Sequence, residues 1–308
     1  MAGNSNIALF DISMSLRPAH AMLALLVTAI WGFNFVVIKV GVAQVPPLLL
    51  TALRFSFAAV PAVFFVRRPS VGWRWIVHYG IFIGVLQFGL LFVSIRLGMT
   101  AALASVVMQL QVFFTIGFAA ILLGERSTPV QIFGALTAFS GMGVIAASRW
   151  SGPELLPLLL CLLAALSWGI ANLIVKMSGE KNALSMIVWA SLAAPLPLFI
   201  MSFLFEDHAA IIQTLTRPTL LTLISVAFLA WPATLLGFGV WSFLLSRYPA
   251  NLVSPFALLV PVFGISSGVL FLGEPFDAAA IIGSILVLAG LVLTVLGPRM
   301  SGSPPATL

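Results

Sequence analysis

Apolar residues in this chain run in long unbroken blocks, with neither the alternation of strands nor the single stripe of a surface helix. The blocks fall near 20–42, 47–66, 73–95, 99–123, 129–148, 155–177, 183–205, 219–246, 250–272 and 277–297. Between them stand turn formers and helix breakers: Pro46 and Pro47, Arg67 to Pro69, Gly124 to Pro129, Gly152 and Pro153, Gly179 to Asn182, Glu206 to Pro218, Tyr248 and Pro249, Gly273 to Pro275, and Pro298. About 20 helical residues cross a hydrocarbon layer about 30 Å thick. A spanning backbone must satisfy its own hydrogen bonds, and barrel strands would be shorter and alternate in polarity, so every block is predicted to be a helix. Only Arg96, Leu97 and Gly98 separate the third block from the fourth. Ten crossings are the expected number, with nine or eleven open at that boundary.

Composition sharpens the picture. Of 308 residues, 61% are apolar and 7% charged, against roughly 25% charged in soluble chains, which excludes a soluble protein. The formal charge of +6 is too dilute for a basic nucleic-acid-binding face and reads as a topology signal. With the N-terminus in the cytoplasm, Arg17, Arg67, Arg68, Arg74, Arg126, Lys176, Lys181, Arg247 and Arg299 lie inside, and Lys39, Arg96, Arg149 and Arg217 outside. That excess favours both termini cytoplasmic. The single cysteine, Cys161, permits no intrachain disulfide. The first block follows Asp11, exceeds a signal-peptide core in length and reappears as an internal copy, so it is expected to be retained. The tails, 1–19 and 298–308, are expected to flank two repeats at 20–148 and 149–297, with mobility at the extreme ends.

The internal copy is legible in short strings. Trp31-Gly32 followed by Lys39 recurs as Trp168-Gly169 followed by Lys176, an offset of 137 residues. Further on the offset is 149: Leu123-Gly124-Glu125 matches Leu272-Gly273-Glu274, Ser105 matches Ser254, and Gly134 and Gly141 match Gly283 and Gly290. Five helices per copy is an odd number. The second copy must therefore enter the membrane from the opposite face, which gives the inverted repeat of alternating-access carriers, with a site at the repeat interface. A duplicated scaffold, a channel-like pore or a lipid scramblase are the competing readings; a pore filter would show a charged ring or a carbonyl loop, and neither is visible.

Trp31-Gly32-Phe33-Asn34-Phe35-Val36, then Leu53-Arg54-Phe55, then Gly-Glu after the fourth and ninth blocks resemble the EamA branch of the drug/metabolite transporter superfamily, over the whole chain. The chain looks most like its YddG-type amino-acid exporters of bacterial inner membranes. The resemblance implies a multi-pass carrier of aromatic and other neutral amino acids or related metabolites. Small multidrug members of the superfamily place a Glu inside their first helix for proton exchange. Here no Asp or Glu lies inside a span, all eight acids falling at helix ends, in loops or in the N-terminal tail, which argues against cationic drugs and carboxylate-based proton coupling.

Polar groups inside lipid are costly and therefore informative. Arg54 lies within the second block; it attracts a substrate carboxylate or pairs with helix-end carbonyls. Asn34, Gln87, Ser94, Gln109, Gln111 and Asn172 are neutral groups able to bind both ends of a zwitterion. Gln109 and Gln111, two residues apart, point to different helix faces. His78, beside Tyr79, is a proton-linked candidate or an interfacial residue near Trp73 and Trp75. Trp31, Trp168, Trp189, Trp231 and Trp241 add aromatic surface, with Trp168 the favoured cavity residue. Lys39 and Lys176 are expected to snorkel as anchors. The substrate-binding candidates are thus Asn34, Arg54, His78, Gln87, Gln109, Gln111, Trp168 and Asn172. Pro195, Pro232, Pro255 and Pro261 mark hinge candidates. Gly134, Gly141, Gly283 and Gly290, and the spaced pairs Gly80 with Gly84 and Gly264 with Gly268, offer faces for close helix packing.

No nucleotide loop, His-Glu-x-x-His pair or Cys cluster is present, so neither a cofactor, a metal nor an enzymatic role is expected. The expected partners are a small-molecule substrate and the lipid bilayer, with no nucleic acid; a homo-oligomer is left open.

Overall fold

The computed structural model describes residues 16–150 and 152–300. The helices are α1 Pro18–Gln44, α2 Pro47–Ala62, α3 Trp73–Arg96, α4 Ala101–Leu123, α5 Pro129–Ser148 and α6 Leu155–Ser178. They continue as α7 Ala183–Ala190, α8 Pro195–Phe205, α9 His208–Thr216, α10 Leu220–Arg247, α11 Ser254–Leu272 and α12 Ala278–Met300. Among the described residues eight helices are long and apolar enough to span, α7 and α8 form one span bent by 44°, and α2 is a shorter apolar helix. These make the ten expected crossings. The boundary at Arg96–Gly98 resolves into a true break, because Gly98 adopts φ 124° and Thr100 then caps α4 through the Leu103 amide.

Two local features depart from the sequence reading. The Glu206 to Pro218 breaker cluster holds a helical turn of its own, α9, started by Asp207, whose carboxylate accepts the Ala209 and Ala210 amides. Long stretches of α3 and α10 are wound as π-helix, at Gly80–Phe88 and Trp231–Leu236. An offset of 149 maps one onto the other, so the two repeats loosen the same helix at the same depth.

Packing shows the inverted repeat directly. A Cβ at Gly134 would meet the Gly290 carbonyl at 2.7 Å, and one at Gly141 would meet the Gly283 carbonyl at 2.5 Å. Each glycine thus faces the repeat partner of the other, which requires α5 and α12 to run antiparallel about a two-fold axis. The first helices repeat the relation. Gly32 of α1 sits against Phe263 and Gly264 of α11, and Gly169 of α6 sits against Phe114 and Thr115 of α4, residues related by the same 149. These contacts place backbone on backbone and leave no room for a larger side chain.

Among the described residues the core has two large parts and a small third one around Ala24, Leu244 and Val253. One apolar cluster gathers α1, α4 and the first-half residues around Leu91, Phe92 and Ile95; the other joins α2 and α3 to α6, α7 and α8. Trp168 packs against both. Gly80 and Gly84 of α3 let Ala190, Ala193 and Ala194 approach, just where the α7–α8 span bends ahead of Pro195.

Candidate functional site

Among the described residues Arg54 is the one cation buried in the core, 2% exposed. Its guanidinium lies 3.8 Å from the centre of the Phe88 ring at the end of the α3 π-segment. Its Nε and Nη2 donate to Thr234 Oγ1 in the α10 π-segment, at 3.3 and 3.1 Å. Thr234 in turn donates to Leu229 O, five residues back, at 2.8 Å. One side chain therefore joins the two matching π-segments of opposite repeats, and π-turns are uncommon enough that such a position draws attention.

That cluster is incompletely bonded. Among the described residues Arg54 Nη1, Asn34 Oδ1 and Gln87 Oε1 are buried with no hydrogen-bond partner. Gln87 adjoins Phe88 in sequence and is 1% exposed. Two helical turns from Asn34, Gly41 faces Leu50 of α2 and Ser225 of α10, so Asn34 turns toward the same two helices that hold Arg54 and Thr234. A buried guanidinium with a spare donor is expensive unless something completes its shell. No Asp or Glu lies inside a spanning helix among the described residues. The missing acceptor is therefore not a protein carboxylate.

A second polar group sits across the bundle. Asn172 Nδ2 of α6 donates to Gln111 Oε1 at 2.6 Å and to Thr115 Oγ1 at 3.1 Å, both on α4. Gln109 folds back on its own helix, donating to Ser105 O at 3.3 Å. The two glutamines do point to different faces, and Gln111 is the one that reaches a neighbour. Ser94 is occupied by Pro157 O. His78 is exposed and bonded to the Arg74 carbonyl of its own turn, so the structure does not bring it to either group. Trp189 and Trp231 donate to carbonyls of Val66 and Phe57, as packing residues do.

An aromatic group meets α10 beside the residue that Arg54 bonds. Trp31 Nε1 donates to Ala233 O at 2.9 Å, one residue from Thr234, and Gly237 leaves room for the indole. Ring centres of Phe238 and Trp241 lie 5.6 and 5.3 Å from Trp31. His20 stands at the start of the first block, with no signal in the sequence beyond its residue type. It lies 2.6 Å from the Tyr248 hydroxyl and edge-on to Phe243, at the end of the bundle that bears Arg17 and Arg247.

The two ends of the bundle differ. Every residue from 101 to 110 in α4 is buried, whereas the 149-related residues 254 to 259 of α11 are all half-exposed. At the α4 end Glu274 accepts the Ala101 and Ala102 amides at 2.7 and 2.9 Å, Lys39 reaches the Ile95 and Met99 carbonyls, and Arg96 the Val42 carbonyl. The lysines are thus tied into the ends rather than snorkelling free, since Lys176 also pairs with Glu125 at 2.7 Å. The looser end is the one bearing Arg17, Arg67, Arg68, Arg74, Arg126, Lys181 and Arg247, the cytoplasmic face by the charge rule. Pro255 and Pro261 lie in the loosened helix, Pro232 in the α10 π-segment and Pro195 at the α7–α8 bend.

Comparison with known proteins agrees with this architecture. The model of the EamA-like transporter family matches twice, over residues 19–147 and 155–296. A protein of Escherichia coli K12 named probable amino-acid metabolite efflux pump is 40% identical over 284 residues, covering 90% of this chain and 95% of its own. Its namesake in Salmonella typhimurium is 41% identical with the same coverage. A solved crystal structure matches with TM-score 0.62 at 21% identity, over 94% of this chain and all of that one, and shows the fold alone.

Proposed function

Since the chain belongs to the EamA-like transporter family, a multi-pass membrane protein of the inner membrane, we propose that it exports amino acids by alternating access. Relatives named as amino-acid efflux pumps support the substrate class. The observation that carries the reading here is the half-bonded Arg54 in an acid-free interior. An α-carboxylate supplies the acceptor that Nη1 lacks, in a charge-assisted bond, while the zwitterion as a whole adds no net charge to the membrane core.

In this scheme the substrate reaches Arg54 from the cytoplasmic end, where α11 is loosened, and leaves once α4 loosens in its turn. Asn34 and Gln87 complete the carboxylate's shell. Asn172 and Trp168 of the second repeat, with Gln111 of the first bonded to Asn172, line the opposite side, and Gln109 stays with its own helix. His78 takes no part. Pro195, Pro232, Pro255 and Pro261 let helices bend without breaking a full ladder of hydrogen bonds. No catalytic step and no cofactor is required.

Reconstitution into vesicles tests it. Loading unlabelled amino acid on one side should accelerate uptake of labelled amino acid from the other, with saturation; a pore or a scramblase shows neither. Arg54→Gln should abolish the exchange, and Arg54→Lys should retain a part of it.

A further inference from the structure

The carboxylate reading leaves the other end of the zwitterion unplaced. Without an acid in the spans, an ammonium group carried to the level of Arg54 has no countercharge from a side chain. What the structure offers beside Arg54 is aromatic. Residues 234, 237, 238, 241 and 244 share one face of α10, turned toward α1: Thr234 and Leu244 are buried on it and Gly237 touches Trp31. Phe238 and Trp241 lie on that inner face and are nonetheless half-exposed. Trp241 packs against the same small apolar cluster as Phe256, in the stretch of α11 that is loosened. Trp31 completes the group, its indole N–H committed to Ala233 O and its ring tilted against those of Phe238 and Trp241.

We infer that Trp31, Phe238 and Trp241 form an aromatic recess that holds the substrate ammonium by cation–π attraction while Arg54 holds its carboxylate. This inference rests on the proposed function and assigns the second pole of the same site. The spacing suits it: Trp31 is anchored to Ala233 and Arg54 to Thr234, adjacent residues of one turn, and an α-amino acid carries its two charges a few ångströms apart. Indole and phenyl faces attract a desolvated cation without bringing a fixed negative charge into lipid. A simple cation finds Arg54 opposing it, and a simple anion gains nothing from the rings. The pair of poles selects zwitterions.

Trp241 is the residue to change, because Trp31 also fixes α10. Counterflow of labelled phenylalanine is competed with phenylalanine, N-acetylphenylalanine, which lacks the cation, and phenethylamine, which lacks the carboxylate. In Trp241→Leu the competition by phenylalanine should weaken about fivefold, within the range of one cation–π contact. N-acetylphenylalanine, weaker from the outset, should compete as it does in the wild type. Trp241→Phe, which keeps a ring, should restore most of the loss and shows that the fold survives. Equal loss for phenylalanine and N-acetylphenylalanine, or no loss for either, overturns the inference and leaves these rings as packing. Phenethylamine competing as well as phenylalanine in the wild type overturns the carboxylate reading instead. Absence of saturable phenylalanine uptake by the wild type overturns both.

Discussion

The first two turns of α4 and those of α11 are copies of one segment, yet they sit in different surroundings. Around α4 every residue from 101 to 110 is enclosed, and Glu274 from the opposite repeat seats on its first amides. Around α11 residues 254 to 259 are half-open, although Glu125 occupies the place related to Glu274. Related sequences at the two ends of a pseudo-two-fold axis thus hold one closed and one loosened arrangement. The asymmetry is what alternating access requires of a single state, and exchanging the two surroundings generates the opposite one.

Four substitutions probe that contrast. The largest effect is expected at the axis itself, where Gly290→Leu drives a side chain into the Gly134 carbonyl and Ala138. Overpacking of this kind costs about 1–3 kcal/mol or more, and detergent-solubilised protein should lose most of its folded yield on size-exclusion chromatography. Next is Glu274→Gln, which removes the anionic partner of two amides at a helix start, worth about 0.5–2 kcal/mol. Labelling of an Ala102→Cys reporter by an external, membrane-impermeant maleimide should rise about tenfold, as about 1.4 kcal/mol shifts a population tenfold. Unchanged labelling would mean that the cap does not hold the outer end shut. Pro255→Ala stiffens only the loosened helix. Maximal counterflow should fall several-fold with half-saturation unchanged, and equal changes in both would remove α11 from the moving parts. The smallest effect belongs to His78→Gln, expected within about twofold of wild type in transport at any pH from 6 to 8, because the ring is exposed and bonded to its own helix.

Much of this was legible beforehand. Blocks of apolar residues and their breakers place nearly every helix to within a few residues, because hydrocarbon imposes one backbone solution. The glycines at 134, 141, 283 and 290 announce the α5–α12 contact, since spacing and duplication both survive in the residues. What lay hidden depends on partners distant in sequence. The π-segments have no composition of their own. In α10 the wider turn is sustained by Thr234 bonding five residues back and by Arg54 arriving from α2. Likewise, the two readings of Arg54 could not be separated in sequence, and its actual partner is a hydroxyl of the other repeat, not a helix-end carbonyl. Lys39 and Lys176 looked like lone anchors because their acceptors come from other helices. The α7–α8 bend leaves Pro195 as its visible trace, while the alanines packed against Gly80 and Gly84 show only in three dimensions.

The glycine contact between α5 and α12 carries one more consequence. Residue 134 touching 290 while 141 touches 283 is the reciprocal pattern that two identical chains make across a true symmetry axis. Each half therefore bears a surface shaped to bind its own upside-down twin. A gene cut between Arg149 and Glu154 would supply two polypeptides able to find each other in the bilayer, and an ancestor with a single such half had an assembly route open to it before any fusion took place.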